Sequence, residues 1–325
     1  MSKHTNSLET LKKIEKDLKS VLVGKDKEIE FLLYCVLAQT PILFIGEPGT
    51  GKSFLINEFI DIIGMGGNKE DYYHYLLTRF TEPSEIFGPL NINKLVGDDG
   101  EISYSRLTRG KLPEAKIAFL DEVFKANSAI LNTLLTIVNE KKYHNDGKWE
   151  KVPLRFLIAA SNEMPEDEDL KAFLDRIVIR VYTDYLELDK KENLKKLVLS
   201  AMGEKVVEKR VRLKSEEFFN IVDTLKEVID YQIKILLSNV QLSDFLALKI
   251  TALRKLSKEN SEISAHISDR KILPLLNVMA ARSLMKRGLE SSINEDDIRE
   301  VLKMTWDRVE SIRELEIALE DEANE

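Results

Sequence analysis

The sequence has little of the residues that identify several classes of protein. Cys35 is the single cysteine among 325 residues, so no disulfide can form within the chain. Chains without disulfides are typical of reducing compartments, and we expect a cytoplasmic protein. There are four histidines, and His144 has no second histidine or cysteine at ligand spacing, which argues against a zinc site there.

Long hydrophobic runs and excess positive charge are also missing. The apolar run 31–38 is too short to cross a bilayer, and no apolar core follows the lysine-rich start, so we expect neither a membrane span nor a secretory signal. Lysine and arginine number 48 against 56 acidic residues, a net charge of -8, which argues against a general DNA-coating protein. The 43% hydrophobic content is ordinary for a globular protein with a sizeable core.

One eight-residue motif is the centre of what the sequence does contain. Residues 46–53 match the phosphate-loop pattern G-x-x-x-x-G-K-[ST] at every fixed position. The apolar stretch 41–45 before it predicts a buried strand, and residues 54–60 have helical spacing. A loop in that position wraps backbone N–H groups around phosphates at a helix N-terminus. The predicted phosphate-binding residues are Gly46, Glu47, Pro48, Gly49, Thr50, Gly51, Lys52 and Ser53.

A pair of carboxylates gives the second strong signal. Asp121 and Glu122 follow the apolar strand predicted at 116–120, and ligands of parallel α/β sheets bind at the carboxyl ends of the strands. We expect Lys52 to reach the β- and γ-phosphates and Ser53 with Asp121 to hold Mg²⁺. Glu122 is suited to polarise the water that attacks the γ-phosphate.

Two weaker signals lie on either side of these motifs. The buried strand predicted at 153–162 ends in Asn162, whose amide can point towards the γ-phosphate or the water. Val23 and Gly24 form a short apolar segment ending in glycine, of the kind that packs against an adenine base. A plain helix–helix turn accounts for Val23 and Gly24 equally well.

The order of predicted elements gives the fold class. Five strands alternating with helices predict an α/β core over 1–183, a five-stranded parallel sheet with helices on both faces. Turn signals predict inserted β-hairpins within 88–113 and 142–149. The helical pattern of residues 184–315 predicts an all-α lid domain. Its helices are expected at about 188–201, 215–236, 241–259, 269–287 and 294–315. Residues 316–325 predict an acidic, disordered tail.

One lid residue is a candidate phosphate contact. Ser268 and Asp269 read as a helix N-cap, which puts Arg270 in the first turn. A cation there opposes the helix dipole, so a nearby phosphate would account for it. A solvated arginine accounts for it equally well.

These motifs together resemble the AAA+ ATPases of the MoxR family, and in particular its regulatory-ATPase-variant (RavA-like) branch. The matching stretches are 79–81, 87–90, 119–126, 130–135, 159–166 and 174–176, and the resemblance covers about residues 8–312. It implies an AAA+ core with a helical lid that hydrolyses ATP with Mg²⁺. In its terms 46–53 is Walker A, Asp121 and Glu122 are Walker B, and Asn162 is sensor 1.

The resemblance also implies residues and partners that the motifs alone do not. Arg176 would be the arginine finger, acting on the nucleotide of the neighbouring subunit, and Arg270 would be sensor 2. The family forms homohexameric rings, works with proteins that carry a von Willebrand factor A domain, and remodels protein clients in a chaperone-like way.

Two other functions stay open. A nucleic-acid motor, or the ATPase of a defence or restriction system, would use the charge and stacking of Lys141, Lys142, Lys148 and Trp149. The net acidity makes nucleic acid the less favoured partner. A nucleotide-gated assembly switch, with ring formation rather than turnover as its output, is the non-enzymatic alternative.

Overall fold

A computed structural model describes residues 3–67, 71–94, 103–165, 173–186, 193–195, 198, 210–259 and 264–320. The helices are α1 Lys3–Val21, α2 Asp26–Ala38, α3 Lys52–Ile62, α4 Pro83–Phe87, α5 Ser128–Glu140, α6 Ser215–Ser238, α7 Val240–Glu259, α8 Asp269–Arg287, α9 Glu295–Leu302 and α10 Ile312–Glu320. The strands are β1 Ile42–Ile45, β2 Tyr72–Leu76, β3 Ile117–Asp121, β4 Lys142–Asn145, β5 Lys148–Lys151, β6 Phe156–Ser161 and β7 Ile179–Tyr182.

The main sheet confirms the predicted architecture. Its five strands are all parallel and lie in the order β2-β3-β6-β1-β7. Strands β1 and β6 are buried along their whole length, as their uninterrupted apolar sequences predict for strands covered on both faces. Ile45 of β1 lies beside Ser161 on one side and Tyr182 on the other. The carboxyl ends of the central strands therefore meet at one edge.

The second predicted hairpin is present, and part of the first can be described. Strands β4 and β5 pair in antiparallel fashion around Asp146 and Gly147, both of which have positive φ angles, as a two-residue Asp-Gly turn requires. In the first insertion Leu90 and Arg106 form an antiparallel bridge. The turn predicted at 98–100 lies outside the described residues.

Most predicted lid helices match the structure. The ranges 215–236, 241–259 and 269–287 correspond to α6, α7 and α8, and α8 packs against α2 and α6. The range predicted at 188–201 lies largely outside the described residues. In the described part of the chain no single helix has the length and composition of a membrane span, and α6 with α7 meets that test only as a pair bent by 92°.

Two predictions near the C-terminus are wrong. The helix expected over 294–315 is interrupted between α9 and α10, where the connecting segment turns its carbonyls towards Arg180 of β7. The disorder expected from residue 316 is corrected for 316–320, which belong to α10. Leu315 and Leu319 lie one turn apart on the same helix face and are both buried, which ties that helix to the core.

A fully buried arginine joins the sheet to this connecting segment. Arg180 on β7 has no solvent-exposed surface. Its backbone N–H donates to Met304 O at 2.9 Å. Its guanidinium donates to the carbonyls of Thr305 at 2.9 Å and Trp306 at 2.7 Å, and pairs with Asp307 at 3.0 Å. Because a buried charge is tolerated only when paired and hydrogen-bonded, the segment and the edge strand hold one another in place.

Replacing this arginine should lower the stability of the protein much more than replacing a half-buried one. We expect Arg180→Met to lower the free energy of unfolding by about 3 kcal/mol, since Asp307 and the carbonyls of Leu174, Thr305 and Trp306 lose this partner. Arg155 pairs with the exposed Asp223, so Arg155→Met should cost at most about 1 kcal/mol. Urea unfolding followed by the fluorescence of buried Trp306 compares the two, and equal losses would contradict the anchoring role.

Candidate nucleotide-binding site

The phosphate loop has the backbone geometry of an anion cradle. A Cβ at Gly46 would lie 1.9 Å from Thr183 O, so only glycine lets the loop leave β1 so close to the end of β7. Gly49 and Gly51 have φ angles of +81° and +90°, and nothing lies within 4 Å of where their Cβ atoms would be. Helix α3 begins directly afterwards at Lys52. The loop thus presents open space at a helix N-terminus, which suits a phosphate group.

Lys52 lies across this loop. Its side chain is buried, with 6% of the residue exposed. The ammonium donates to the backbone carbonyls of Gly46 and Glu47, the latter at 3.0 Å, and to Asn162 Oδ1 at 3.0 Å. Burial lowers the pKa of Lys52, and the nearby carboxylates oppose that shift. The positive charge is therefore held at the start of the loop, beside Asn162.

The two predicted metal ligands are in contact. Ser53 Oγ donates to Asp121 Oδ2 at 2.8 Å, across the gap between α3 and the end of β3. A hydroxyl and a carboxylate fit Mg²⁺, which keeps several waters and takes its remaining ligands from phosphates. Within the described ranges no cluster of three or more His, Cys, Asp or Glu could hold a metal. Ser53 and Asp121 thus supply two oxygen atoms of the kind that such an ion takes as ligands.

Glu122 is held in a fixed orientation at the same edge. Its φ angle of +54° is left-handed, which is uncommon outside glycine and asparagine, and the residue is buried. Glu122 Oε1 accepts from Asn162 Nδ2, and Oε2 pairs with Lys125 Nζ at 3.3 Å. Asn162 therefore connects Lys52 to Glu122. Sequence reasoning missed Lys125, although a lysine three residues after a motif carboxylate is a readable signal.

The predicted adenine-contacting turn lies against the segment that follows β7. Gly24 has a φ angle of +68°, and a Cβ there would lie 2.3 Å from Leu186 Cδ1. Tyr185 OH donates to Pro48 O at 3.0 Å, and Lys25 Nζ donates to the backbone carbonyl of Asp184. Residues 184–186 thus contact both the turn and the phosphate loop. Nothing in the sequence marked Tyr185, because its partner lies 137 residues away.

The two predicted arginines, Arg176 and Arg270, are not part of the cluster around Lys52. Arg176 is in the turn before β7, so the length of that strand, about 10 Å, separates it from the edge where the phosphate loop lies. Ser268 Oγ and Lys271 Nζ, on either side of the exposed Arg270, contact Asp175 at 3.3 and 3.4 Å. The segments that carry Arg176 and Arg270 are thus in contact through Asp175, and Arg176 lies at the opposite end of β7 from the phosphate loop.

Comparison with known proteins agrees with this geometry. Residues 9–226 match the family model described as the MoxR domain in MoxR–vWA–β-propeller ternary systems. An uncharacterised protein of Methanocaldococcus jannaschii is 35% identical over 93% of this chain and 71% of that protein. Chaperone MoxR1 of Mycobacterium tuberculosis is 22% identical over 54% of this chain and 45% of its own length.

The fold also has a close counterpart among solved structures. A crystal structure from Cytophaga hutchinsonii, described as a candidate ATPase, superposes with a TM-score of 0.69. It covers 97% of this chain and 95% of its own, with 18% sequence identity, so the likeness concerns the fold. With the family model matching two thirds of the sequence and the sheet, phosphate loop and helical lid in place, this chain belongs to the MoxR family of AAA+ ATPases.

Proposed function

We propose that this protein hydrolyses ATP to ADP and phosphate at the subunit interfaces of a homohexameric ring, and uses the reaction to remodel or assemble a protein client. The observation that supports this best is the hydrogen-bonded chain from Lys52 through Asn162 to Glu122, beside the Ser53–Asp121 pair. It brings a phosphate-binding cation, a candidate base and a metal-ligand pair to one edge of the sheet.

Each group has a distinct task in that reaction. The loop N–H groups and Lys52 bind the β- and γ-phosphates and keep the triphosphate extended. Ser53 and Asp121 would hold Mg²⁺, which neutralises phosphate charge when bound. Glu122 accepts a hydrogen bond, and then the proton, from the water that attacks the γ-phosphate, while Asn162 keeps its carboxylate aimed. Val23 and Gly24 would cover the adenine base.

The two remaining arginines fit a site shared between subunits. The segments that carry Arg176 and Arg270 are in contact through Asp175, and the length of β7 separates Arg176 from its own phosphate loop. In a head-to-tail ring these segments face the next subunit's loop. Arg176 would then act as the arginine finger on the neighbouring γ-phosphate, with Arg270 beside it as sensor 2.

The comparisons support the choice of partner class. The name of the matching family model includes a von Willebrand factor A domain protein, and one relative is named a chaperone. We propose a partner of that domain type and a protein client for this chain. The buried Cys35 is consistent with a reducing compartment such as the cytoplasm.

One observation favours a second function, a nucleic-acid-dependent motor. Trp149 on the β4–β5 hairpin is 59% exposed, and Lys142 and Lys148 of the same hairpin are also exposed. An exposed ring next to lysines can stack on a base and contact a phosphate. Lys141 does not belong to that surface, because it is half-buried and burial lowers its pKa to about 8.

Glu122→Gln tests the proposed base. The amide keeps the size of the side chain but cannot take a proton, so we expect ATP binding within about threefold of wild type and turnover reduced by about 10²–10⁴-fold. Phosphate release and binding of a fluorescent ATP analogue measure the two properties. Lys52→Ala should instead lose binding. Unchanged turnover in Glu122→Gln would show that another group activates the water.

Mixed rings test whether Arg176 acts across the interface. Arg176→Ala should lower turnover by about 10³-fold without weakening ATP binding. Co-expressed with Lys52→Ala and purified through a tag on each variant, it should recover activity, because roughly a quarter of randomly mixed interfaces combine an intact loop with an intact Arg176. No recovery in rings shown to contain both variants would exclude this role.

ATPase stimulation distinguishes the two candidate functions. For the chaperone-like ATPase we expect turnover to change by less than twofold on adding single-stranded DNA, duplex DNA or RNA. A motor would be stimulated in a salt-sensitive way, and Trp149→Ala would abolish the stimulation without changing basal turnover. Stimulation lost in that variant would favour the motor.

A further inference from the structure

A buried lysine of the lid lies against the turn that carries Arg176. Lys271, in the first turn of α8, is 1% exposed. Its ammonium pairs with Asp175 Oδ1 at 3.4 Å and donates to the backbone carbonyl of His266. Ser268 Oγ donates to the other oxygen of Asp175 at 3.3 Å. Both oxygens of the residue before Arg176 are therefore held by the lid.

Apolar packing and an open cavity meet at that turn. Phe173, Leu174 and Ile177 are buried in the core. A cavity of about 700 Å³ opens between the core and the lid, with Met164, Leu174, Asp175, His266, Lys271 and Asp307 among its lining residues. The polar contacts from Ser268 and Lys271 to Asp175 join the turn to the lid at the edge of this cavity.

Behind the ion pair, the buried Arg180 connects the turn to the sheet. Arg180 donates to Leu174 O at 2.8 Å and pairs with Asp307, which leads from the lid back to the sheet. One end of the turn is therefore fixed to β7, while the Asp175 side chain is fixed to α8. A displacement of α8 relative to the sheet would change the conformation of the residues between these two points.

We propose that Lys271 is a positioning residue, whose ion pair with Asp175 couples the placement of the lid to the reach of Arg176 towards the neighbouring subunit's γ-phosphate. This rests on the proposed role of Arg176 as the arginine finger. It makes the lid of one subunit a determinant of hydrolysis in the next one. A displacement of about 1 Å at a catalytic group is enough to cost up to about 100-fold in rate.

Lys271→Met should therefore behave like a weaker Arg176→Ala. We expect kcat to fall by about 10–100-fold with little change in KM for ATP, and Lys271→Arg, which keeps the charge, to retain most of the activity. Lys249→Met is the matched control, because it removes another buried lysine of the lid that lies on α7. It should hydrolyse ATP at the wild-type rate. Thermal unfolding of each variant reports whether the fold is intact.

Mixed rings separate a positioning role from a structural one. Rings of Lys271→Met with Lys52→Ala should recover activity, since the Lys52→Ala subunit supplies a correctly placed Arg176 to the intact neighbouring loop. A defect confined to the subunit's own site would not be rescued. Wild-type turnover by Lys271→Met overturns the proposal, and so does failed rescue where Arg176→Ala is rescued. If neither is rescued, Arg176 is not the finger and both proposals fall.

The pH profile provides a second readout. Burial, followed by the charge of Arg180, lowers the pKa of Lys271 to about 8, and Asp307 and Asp175 oppose the shift. His266, Arg308 and Glu310 also line the cavity. The ion pair should weaken as the pH rises through 8 and Lys271 loses its proton, so wild-type kcat should fall there. Lys271→Arg stays charged and should not show this fall; identical profiles would contradict the proposal.

Discussion

The register of the parallel strands is the constraint on which the whole site depends. Backbone hydrogen bonds place Ile45 beside Ser161 and Leu120 beside Ala159, and a shift of one residue would turn every buried side chain to the opposite face. The phosphate loop, the paired carboxylates and Asn162 each follow directly on one of these strands. Their proximity is thus a consequence of core packing, and the polar contacts among them only refine it.

This explains which parts of the site the sequence could predict. The position of a motif that follows a buried strand can be predicted from the sequence, because every parallel strand of the sheet ends at the same edge. The fold class and the proximity of Lys52, Ser53, Asp121 and Asn162 are predictable in this way. Lys125 lies only three residues after its partner Glu122, so this contact is also predictable from the local sequence.

The remaining features depend on contacts between distant parts of the chain. The break between α9 and α10 exists because Arg180 binds carbonyls 125 and 126 residues further on, and helical periodicity cannot reveal such a partner. Tyr185 meets the phosphate loop for the same kind of reason. The contact between the segments that carry Arg176 and Arg270 likewise follows from how the lid folds back onto β7, which no local pattern encodes.

Edge strand β7 connects the two halves of the molecule. On one side it pairs with β1 and so belongs to the sheet that carries the candidate nucleotide site. On the other side the buried Arg180 binds the segment that returns from the lid. Beyond its end, residues 184–186 contact the phosphate loop and the turn at Gly24. A displacement of the lid can therefore be transmitted to both ends of β7 through the covalent chain and these hydrogen bonds.

The left-handed backbone conformation that orients the Glu122 side chain lowers the stability of the folded protein. Holding a non-glycine residue at a φ angle of +54° costs about 1–2 kcal/mol, part of which a glycine at that position would recover despite its larger loss of backbone entropy on folding. A library screened for heat resistance alone would therefore be expected to enrich glycine here. Asparagine, which also tolerates this conformation, would be the next substitution to accumulate.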